Sequence, residues 1–271
     1  MQAEADRLRK AGTTIGFVPT MGYLHEGHLS LVQMAKQRSD VVVLSIFVNP
    51  TQFGPNEDFE RYPRDFKKDE NLAEQAGVNI LFYPSTSEMY PHHYLTHVNV
   101  ERITEGLCGA SRPGHFRGVA TICAKLFHAV KPHFAVFGQK DAQQVATIRQ
   151  MVRDLNFDME IVVAPTVREK DGLAMSSRNV YLSPEERQDA LALHQSLELA
   201  EGLIRKGEKN SQTVVQAMRK IIENKKQTRI DYISVVNPDS LEPLPTVGEK
   251  ALIALAVFVG KTRLIDNAVV E

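Results

Sequence analysis

The run Thr14-Ile-Gly-Phe-Val-Pro-Thr-Met-Gly-Tyr-Leu-His-Glu-Gly-His28 constrains the fold more than any other stretch of the chain. Ile15 to Val18 reads as a short buried strand that Pro19 and Gly22 end. A tight loop follows, and Leu29, Leu31, Val32, Met34 and Ala35 then recur at helical spacing. His25 and His28 therefore stand at a helix start, three residues apart and on one side. A helix start offers free backbone N–H groups and the positive end of the dipole, so it is a ready anion site, with phosphate the obvious anion. Histidines at such a place also serve as polar caps, and this window alone leaves both roles open. A metal role fits less well. A zinc-protease helix needs two residues between its glutamate and its second histidine, and His25-Glu-Gly-His28 has one.

The rest of the composition narrows the setting. The chain has 271 residues, 43% of them hydrophobic and 24% charged, enough for one large domain or two modest ones. A net charge of −1 gives no general basic field to hold nucleic acid. The cysteines, Cys108 and Cys123, form no CxxC pair and read as reduced thiols, which suits a cytoplasmic protein. The N-terminal residues MQAEADRLRK are charged and helical, without the apolar core of a signal peptide. The longest apolar runs, Val41 to Val48 and Ala251 to Val259, are too short to span a bilayer, so no membrane partner is expected.

Strand-like and helix-like segments alternate through the first part. Strands are predicted at Val41 to Val48, Ile80 to Tyr83, Phe134 to Phe137 and Ile161 to Val163. Helices are predicted at Asp65 to Ala76 (ending at Gly77), Gly118 to Val130 and Asp141 to Leu155. This alternation implies parallel β-α-β units, whose ligands collect at the carboxyl ends of strands. After about Ser176 the texture changes. Helices are predicted at Pro184 to Ile204, started by Ser183-Pro-Glu-Glu186, and at Thr213 to Asn224. Strands follow at Ile230 to Val236, Ala251 to Val259 and Thr262 to Asp266. That pattern suggests a small α+β domain, with the boundary near residues 165 to 180.

Three further clusters fall at predicted strand or domain ends. Asn49 and Gln52 in Phe47-Val-Asn-Pro-Thr-Gln-Phe-Gly54 suit hydroxyl or carboxylate oxygens, although a turn capped by Asn49 explains that stretch equally well. In Phe137-Gly-Gln-Lys-Asp-Ala-Gln-Gln144, Gly138 permits close backbone approach. Lys140 opposes the helix dipole unless it meets a phosphate, and Gln144 lies one turn on. The polar stretch Arg168-Glu-Lys-Asp-Gly-Leu-Ala-Met-Ser-Ser-Arg-Asn179 reads as a mobile loop in which Ser176, Ser177 and Arg178 could close over a triphosphate. The remaining histidines, His115 among them, read as surface or structural.

Taken together, PTMGYLHEGH, FVNPTQFGPNEDFERYPR, RPGHFRGVATICAKLF, FGQKDAQQ and PTVREKDGLAMSSRN resemble the pantothenate synthetase family, the pantoate–β-alanine ligases, from about residue 13 to 182. The resemblance implies a Rossmann-like α/β nucleotidylyl transferase domain over residues 1–167, with an HxGH loop at His25 to His28. A smaller α+β lid domain would occupy 168–271, with a KMSKS-like loop at Met175 to Arg178. It implies a reaction of ATP with (R)-pantoate to give pantoyl adenylate and pyrophosphate. The β-alanine amine then attacks the acyl carbon to give pantothenate and AMP. Mg²⁺ is expected with the ATP, and the assembly is expected to be a homodimer.

Carried over residue by residue, His28 is the proton donor, and His25, Lys140 and Arg178 share the catalytic site. ATP is expected to contact Met21, Gly22, Tyr23, Leu24, His25, Glu26, Gly27 and His28, then Gly138, Gln139, Lys140 and Asp141, the backbone of Val167, and Met175, Ser176, Ser177 and Arg178. Gln52 and Gln144 hold pantoate, Gln52 also touching β-alanine, and Asp69 lies on the magnesium side. Pro19, Met21 and Phe53 could pack pantoate's methyl groups. Gln139 stands where the family usually has Glu, and the short N-terminus leaves the outer edge of the sheet open. Another HxGH nucleotidylyl transferase, acting on a different small substrate, is the rival reading.

Overall fold

The structure is a computed structural model that describes every residue except Asn56. Its first sheet contains β1 (Ile15–Thr20), β2 (Val41–Ile46), β3 (Ile80–Phe82), β4 (Phe134–Gly138) and β5 (Glu160–Ala164). All pair in parallel, in the order β3-β2-β1-β4-β5, so β3 and β5 form its edges. Alternate residues of these apolar strands face opposite sides, which calls for cover on both. On one side Phe17, Val43 and Phe137 pack with α1 (Gln2–Lys10), α6 (His115–Val130) and α7 (Ala142–Asp154). On the other, Val18, Leu44 and Val136 pack with α2 (Glu26–Lys36) and α3 (Phe66–Ala76). The short helices α4 (Thr86–Met89) and α5 (Cys108–Ser111) lie between α3 and α6 in the chain.

Local signals set the element ends. The Asp65 carboxylate caps α3, and Gly77 closes it at φ +81°. Ser183 and Glu186 form a capping box that starts α8 (Pro184–Arg205). That helix and α9 (Ser211–Glu223) cover a second, antiparallel sheet of β6 (Thr228–Val236), β7 (Ala251–Val259) and β8 (Thr262–Val270). Leu193, Leu197, Met218 and Ile222 fill the core between them with Ile253, Leu255 and Val257. Ile103 and Ala146 from the first body meet Val236, Leu241, Leu252 and Ala254 from the second in a smaller apolar cluster.

The α/β class matches expectation, with corrections at three places. Helix α6 begins at His115, not Gly118, because Gly118 is an internal close-contact glycine; a Cβ there would lie 2.4 Å from the Thr51 carbonyl oxygen. Strand β8 runs to Val270, not Asp266, since β7 pairs with it through Asp266 and Asn267 and beyond. The stretch from Arg168 to Asn179 is not a free loop. Arg168 and Ala174 bridge it into a hairpin, and Ser177–Tyr181 forms a 3₁₀ turn.

Candidate functional site

The strand order reverses between β1 and β4, and the loops leaving their carboxyl ends face each other there. A cleft opens at this point. One lobe of about 240 Å³ lies over the histidine loop, and one of about 850 Å³ runs to the second sheet; Lys140, Asp141, Gln144 and Arg178 line both.

The histidine loop is built from within. Thr20 Oγ1 donates to the Ser45 carbonyl (2.7 Å) and accepts the Gly22 N–H (3.1 Å). Gly22 turns at φ +81°, and a Cβ there would sit 2.8 Å from Asp69 Oδ2. Asp69, only 1% exposed, accepts the Tyr23 and Leu24 N–H groups, each at 2.7 Å. His25 caps α2: the Gly27 N–H donates to its Nδ1 (3.2 Å), and its own N–H donates to His28 Nδ1 (3.3 Å). The cap and the functional reading therefore coincide in the same residue.

Burial, with Lys140 adding to it, pushes His25 down to about 4. Burial carries His28 well below the ordinary imidazole value, helped by His25 and Lys140. Both rings are thus neutral near pH 7. With Nδ1 accepting in each, the hydrogen-bond pattern assigns the ring proton to Nε2. The ring centroids are 4.1 Å apart, and both rings line the smaller lobe.

Each end of the Gln52 amide has one partner within the chain. Its Oε1 accepts from Asn49 Nδ2 (3.1 Å), and its Nε2 donates to Met21 Sδ (3.0 Å). Asn49 accepts the Thr51 N–H, the cap that the turn reading expected, and it also donates to the Gly118 carbonyl and accepts from Tyr90 Oη, so it is a buried structural hub as well. His115 Nδ1 donates to the Gln52 carbonyl (2.7 Å) while its Nε2 accepts from Arg112 (3.0 Å). Burial, then the Arg112 charge, pushes His115 down to about 3. Arg112 in turn forms a two-pronged pair with Glu57 (2.7 and 2.5 Å). Pro19, Met21, Phe47, Phe53, Val119 and Ile122 supply an apolar wall beside Gln52.

Across the cleft, Gly138 has open space where a Cβ would stand, so nothing within the chain demands glycine there. Lys140 and Asp141 follow in a 3₁₀ turn, and Gln144 in the first turn of α7 lines both lobes. Its neighbour Gln143 is 5% exposed and structural, accepting the Cys108 N–H and donating to the Ile103 and Gly106 carbonyls. Val167, Met175, Ser176, Ser177 and Arg178 complete the smaller lobe. The Val167 carbonyl accepts the Met175 N–H (3.0 Å). Arg178 donates to both oxygens of Asp58 (2.9 and 2.7 Å), and Tyr62 Oη lies 3.2 Å from Ser177 Oγ.

Several expected contacts are redistributed. Met21, His25, Gly27 and His28 reach the cleft, whereas Leu24 is in the core, Glu26 is exposed, and Gly22 and Tyr23 serve the loop's own fold. Gln139 turns away and donates to Asn267 Oδ1 (3.0 Å). Asp69 braces the loop, one backbone N–H engaging each of its oxygens. Sequence reasoning missed Arg112 and His115 as cleft residues, and Asp58 and Tyr62 as partners of the clamp. The one signal was the Arg112-Pro-Gly-His115 step just before an apolar helix.

Known proteins bear on this geometry. The family model for Pantoate-beta-alanine ligase matches residues 1–269. The Pantothenate synthetase of Caldicellulosiruptor bescii is 61% identical over 271 residues, all of this chain and 96% of the relative. A crystal structure of pantothenate synthetase from Thermus thermophilus superposes with TM-score 0.93 at 47% identity, covering 97% of this chain and 96% of that one. A pantoate-beta-alanine ligase from Francisella tularensis, crystallised with beta-gamma ATP and beta-alanine, superposes with TM-score 0.78 at 34% identity over 98% of this chain and 94% of that one.

Proposed function

We infer how the cleft works from one premise: the chain belongs to the pantoate–β-alanine ligase family. Its reaction is the ATP-dependent joining of pantoate to β-alanine. The observation that carries our assignment of roles is the pair of imidazoles lining the smaller lobe at a helix start, with the Lys140 turn in the same wall.

The reading runs in two steps. A pantoate carboxylate oxygen attacks the α-phosphorus of ATP, forming an O–P bond and expelling pyrophosphate. The β-alanine nitrogen then attacks the acyl carbon, and AMP leaves. Such a transfer needs alignment and charge neutralisation more than covalent help. His28 and His25 donate Nε2–H bonds to phosphate oxygens, and the α2 start adds its dipole. Lys140 and Arg178 meet the leaving pyrophosphate, with Ser176 and Ser177 as hydroxyl donors. The Val167 N–H meets adenine. Gln52 and Gln144 hold pantoate's oxygens, and Pro19, Met21 and Phe53 pack its methyls.

Magnesium would lower the negative charge of the ATP phosphates. No group of three or more His, Cys, Asp and Glu side chains among the described residues could hold a metal ion. Mg²⁺ bound with a nucleotide would be held by phosphate oxygens and one or two protein carboxylates. Asp141, which makes no capping bond and lines both lobes, is a carboxylate we assign to it beside the expected Asp69. Residues 1–167 act as the nucleotide domain and 168–271 as the lid. Cytoplasmic location and a homodimer complete the reading. Both cysteines are free, and no described helix is long and apolar enough to cross a membrane.

The test is pantoate-dependent exchange of pyrophosphate into ATP without β-alanine. Exchange that needs pantoate supports the adenylate route; exchange with another small substrate and none with pantoate would favour the rival nucleotidylyl transferase.

A further inference from the structure

We propose that Asp266 and Asn267, two adjacent buried polar residues of β8, are positioning residues that hold the two phosphate-gripping segments, the Lys140 turn and the hairpin leading to Arg178, in register. The inference rests on the reading that those segments grip ATP's phosphates.

Successive residues of a strand face opposite sides. In β8 the even positions Leu264, Ala268 and Val270 pack into the core beneath α8 and α9, while Ile265 packs against the first body. Asp266 and Asn267 interrupt this apolar pattern, at 2% and 5% exposure, and each turns to one of the two segments. On one face Asp266 takes Arg168 in a two-pronged pair (2.6 and 3.0 Å), and Arg168 also donates to the Gly172 carbonyl (3.2 Å). This fixes the base of the hairpin whose far end becomes Met175 to Arg178. On the other face Asn267 Nδ2 donates to the carbonyls of both Gln139 (3.0 Å) and Lys140 (2.8 Å), while Oδ1 accepts from Gln139 Nε2. The two side chains are joined by the Asn267 N–H, which donates to Asp266 Oδ1 (2.8 Å).

Burying a carboxylate and an amide in a strand is costly unless every polar atom is matched. Here the matching partners are the backbone beside Lys140 and the arginine that opens the clamp hairpin. A shift of β8 therefore moves both phosphate segments together, and the pair sets their spacing across the cleft.

The experiment measures melting temperature, KM for ATP in pantoate-dependent pyrophosphate exchange, and pantoate Kd. The variants are Asn267→Ala, Asn267→Asp, Asn267→Ser and Asp266→Asn. Val257→Ala, in the core under α8 and α9, is the control for plain destabilisation, and Lys140→Ala is the reference for the phosphate reading. Losing two carbonyl hydrogen bonds at the turn is expected to raise KM for ATP about tenfold in Asn267→Ala and Asn267→Asp, with pantoate Kd within about twofold. Asn267→Ser, which keeps one donor and serves if the others fail to fold, is expected to rise by less. Val257→Ala should lower the melting temperature without moving KM. If Asn267→Ala and Asn267→Ser lower the melting temperature and leave KM for ATP where Val257→Ala leaves it, the pair is only structural and the proposal is overturned. If Lys140→Ala leaves exchange unchanged, the phosphate reading itself falls, and this inference with it.

Discussion

Arg178 and Asp58 stand 120 residues apart in the chain and meet in a two-pronged ion pair, Nε to Oδ2 at 2.9 Å and Nη2 to Oδ1 at 2.7 Å. Burial alone would raise the Asp58 carboxyl, but the Arg178 hydrogen bonds and charge outweigh it and hold it below the usual range. The guanidinium assigned to phosphate is thus already occupied by a carboxylate in the free protein. ATP must exchange one anion for another at this side chain, which makes the pair a measurable reporter of nucleotide binding.

A double-mutant cycle of Asp58→Asn and Arg178→Ala should therefore depend on ligand. In the free protein, unfolding measurements are expected to give a coupling on the order of 1 kcal/mol, as for a partly buried pair. With a saturating non-hydrolysable ATP analogue the coupling should shrink, because Arg178 then pairs with phosphate. Equal coupling in both states would show that Arg178 never leaves Asp58.

His28→Ala should slow pantoyl-adenylate formation by about 10² or more, the scale of losing one donor to developing transition-state charge. Single-turnover quenched flow reads the step directly. A rate within a few-fold of the parent would take His28 out of the chemistry and leave it as the partner of the His25 cap.

The adjacent glutamines separate binding from folding. Gln144→Ala is expected to weaken pantoate use with ATP binding and melting temperature nearly intact. Gln143→Ala strips partners from the buried Cys108 N–H and Ile103 carbonyl and from the Gly106 carbonyl, and should cost about 1–3 kcal/mol of stability. Calorimetry and thermal melts distinguish them; the opposite pattern would reverse the assignment of the two residues.

The histidines predict a pH signature. His25 lies at about 4, His115 at about 3, and His28 well below the ordinary value, all because burial disfavours the charged ring. In the unfolded chain each takes a proton below about pH 6.5, whereas the folded chain resists until much lower pH. The unfolded state then binds more protons, so stability falls as pH drops from about 6.5 towards 4, by up to about 1.4 kcal/mol per pH unit per group. Urea midpoints should drop between about pH 7 and pH 5 but stay level between about pH 7 and pH 8. A flat profile from pH 7 to pH 5 would mean that these rings are not held neutral.

Nucleotide should oppose that shift. Polyphosphate beside His25 and His28 favours their charged forms, so binding at about pH 6 is expected to draw protons from solution. Titration calorimetry in buffers of different ionisation enthalpy measures the uptake. Buffer-independent heats in the parent protein would separate the phosphates from the imidazoles.

Much of this protein was legible before any coordinate. The strands declared themselves as β-branched apolar runs, and Asp65, Gly77 and the Ser183-Pro184-Glu185-Glu186 start marked helix ends, because those signals act within a few residues. The histidine loop, Lys140, Gln52 and the Met175–Arg178 segment stood out as clusters at strand or domain ends, and the structure brings them to one cleft. What the local chain could not decide was which way each side chain turns. Leu24 enters the core and Asp69 braces the loop because α3 packs beside it. Gln143 is buried and Gln144 free because one helical step separates the packed side of α7 from the cleft side. His115 faces Gln52 because Gly118 lets α6 press against the Pro50–Gln52 turn. Arg178 finds Asp58, and Asn267 finds Lys140, across more than a hundred residues each. Local periodicity names the elements; the partner of a buried charge or amide is set by which distant segment packs against it, and that depends on the whole fold.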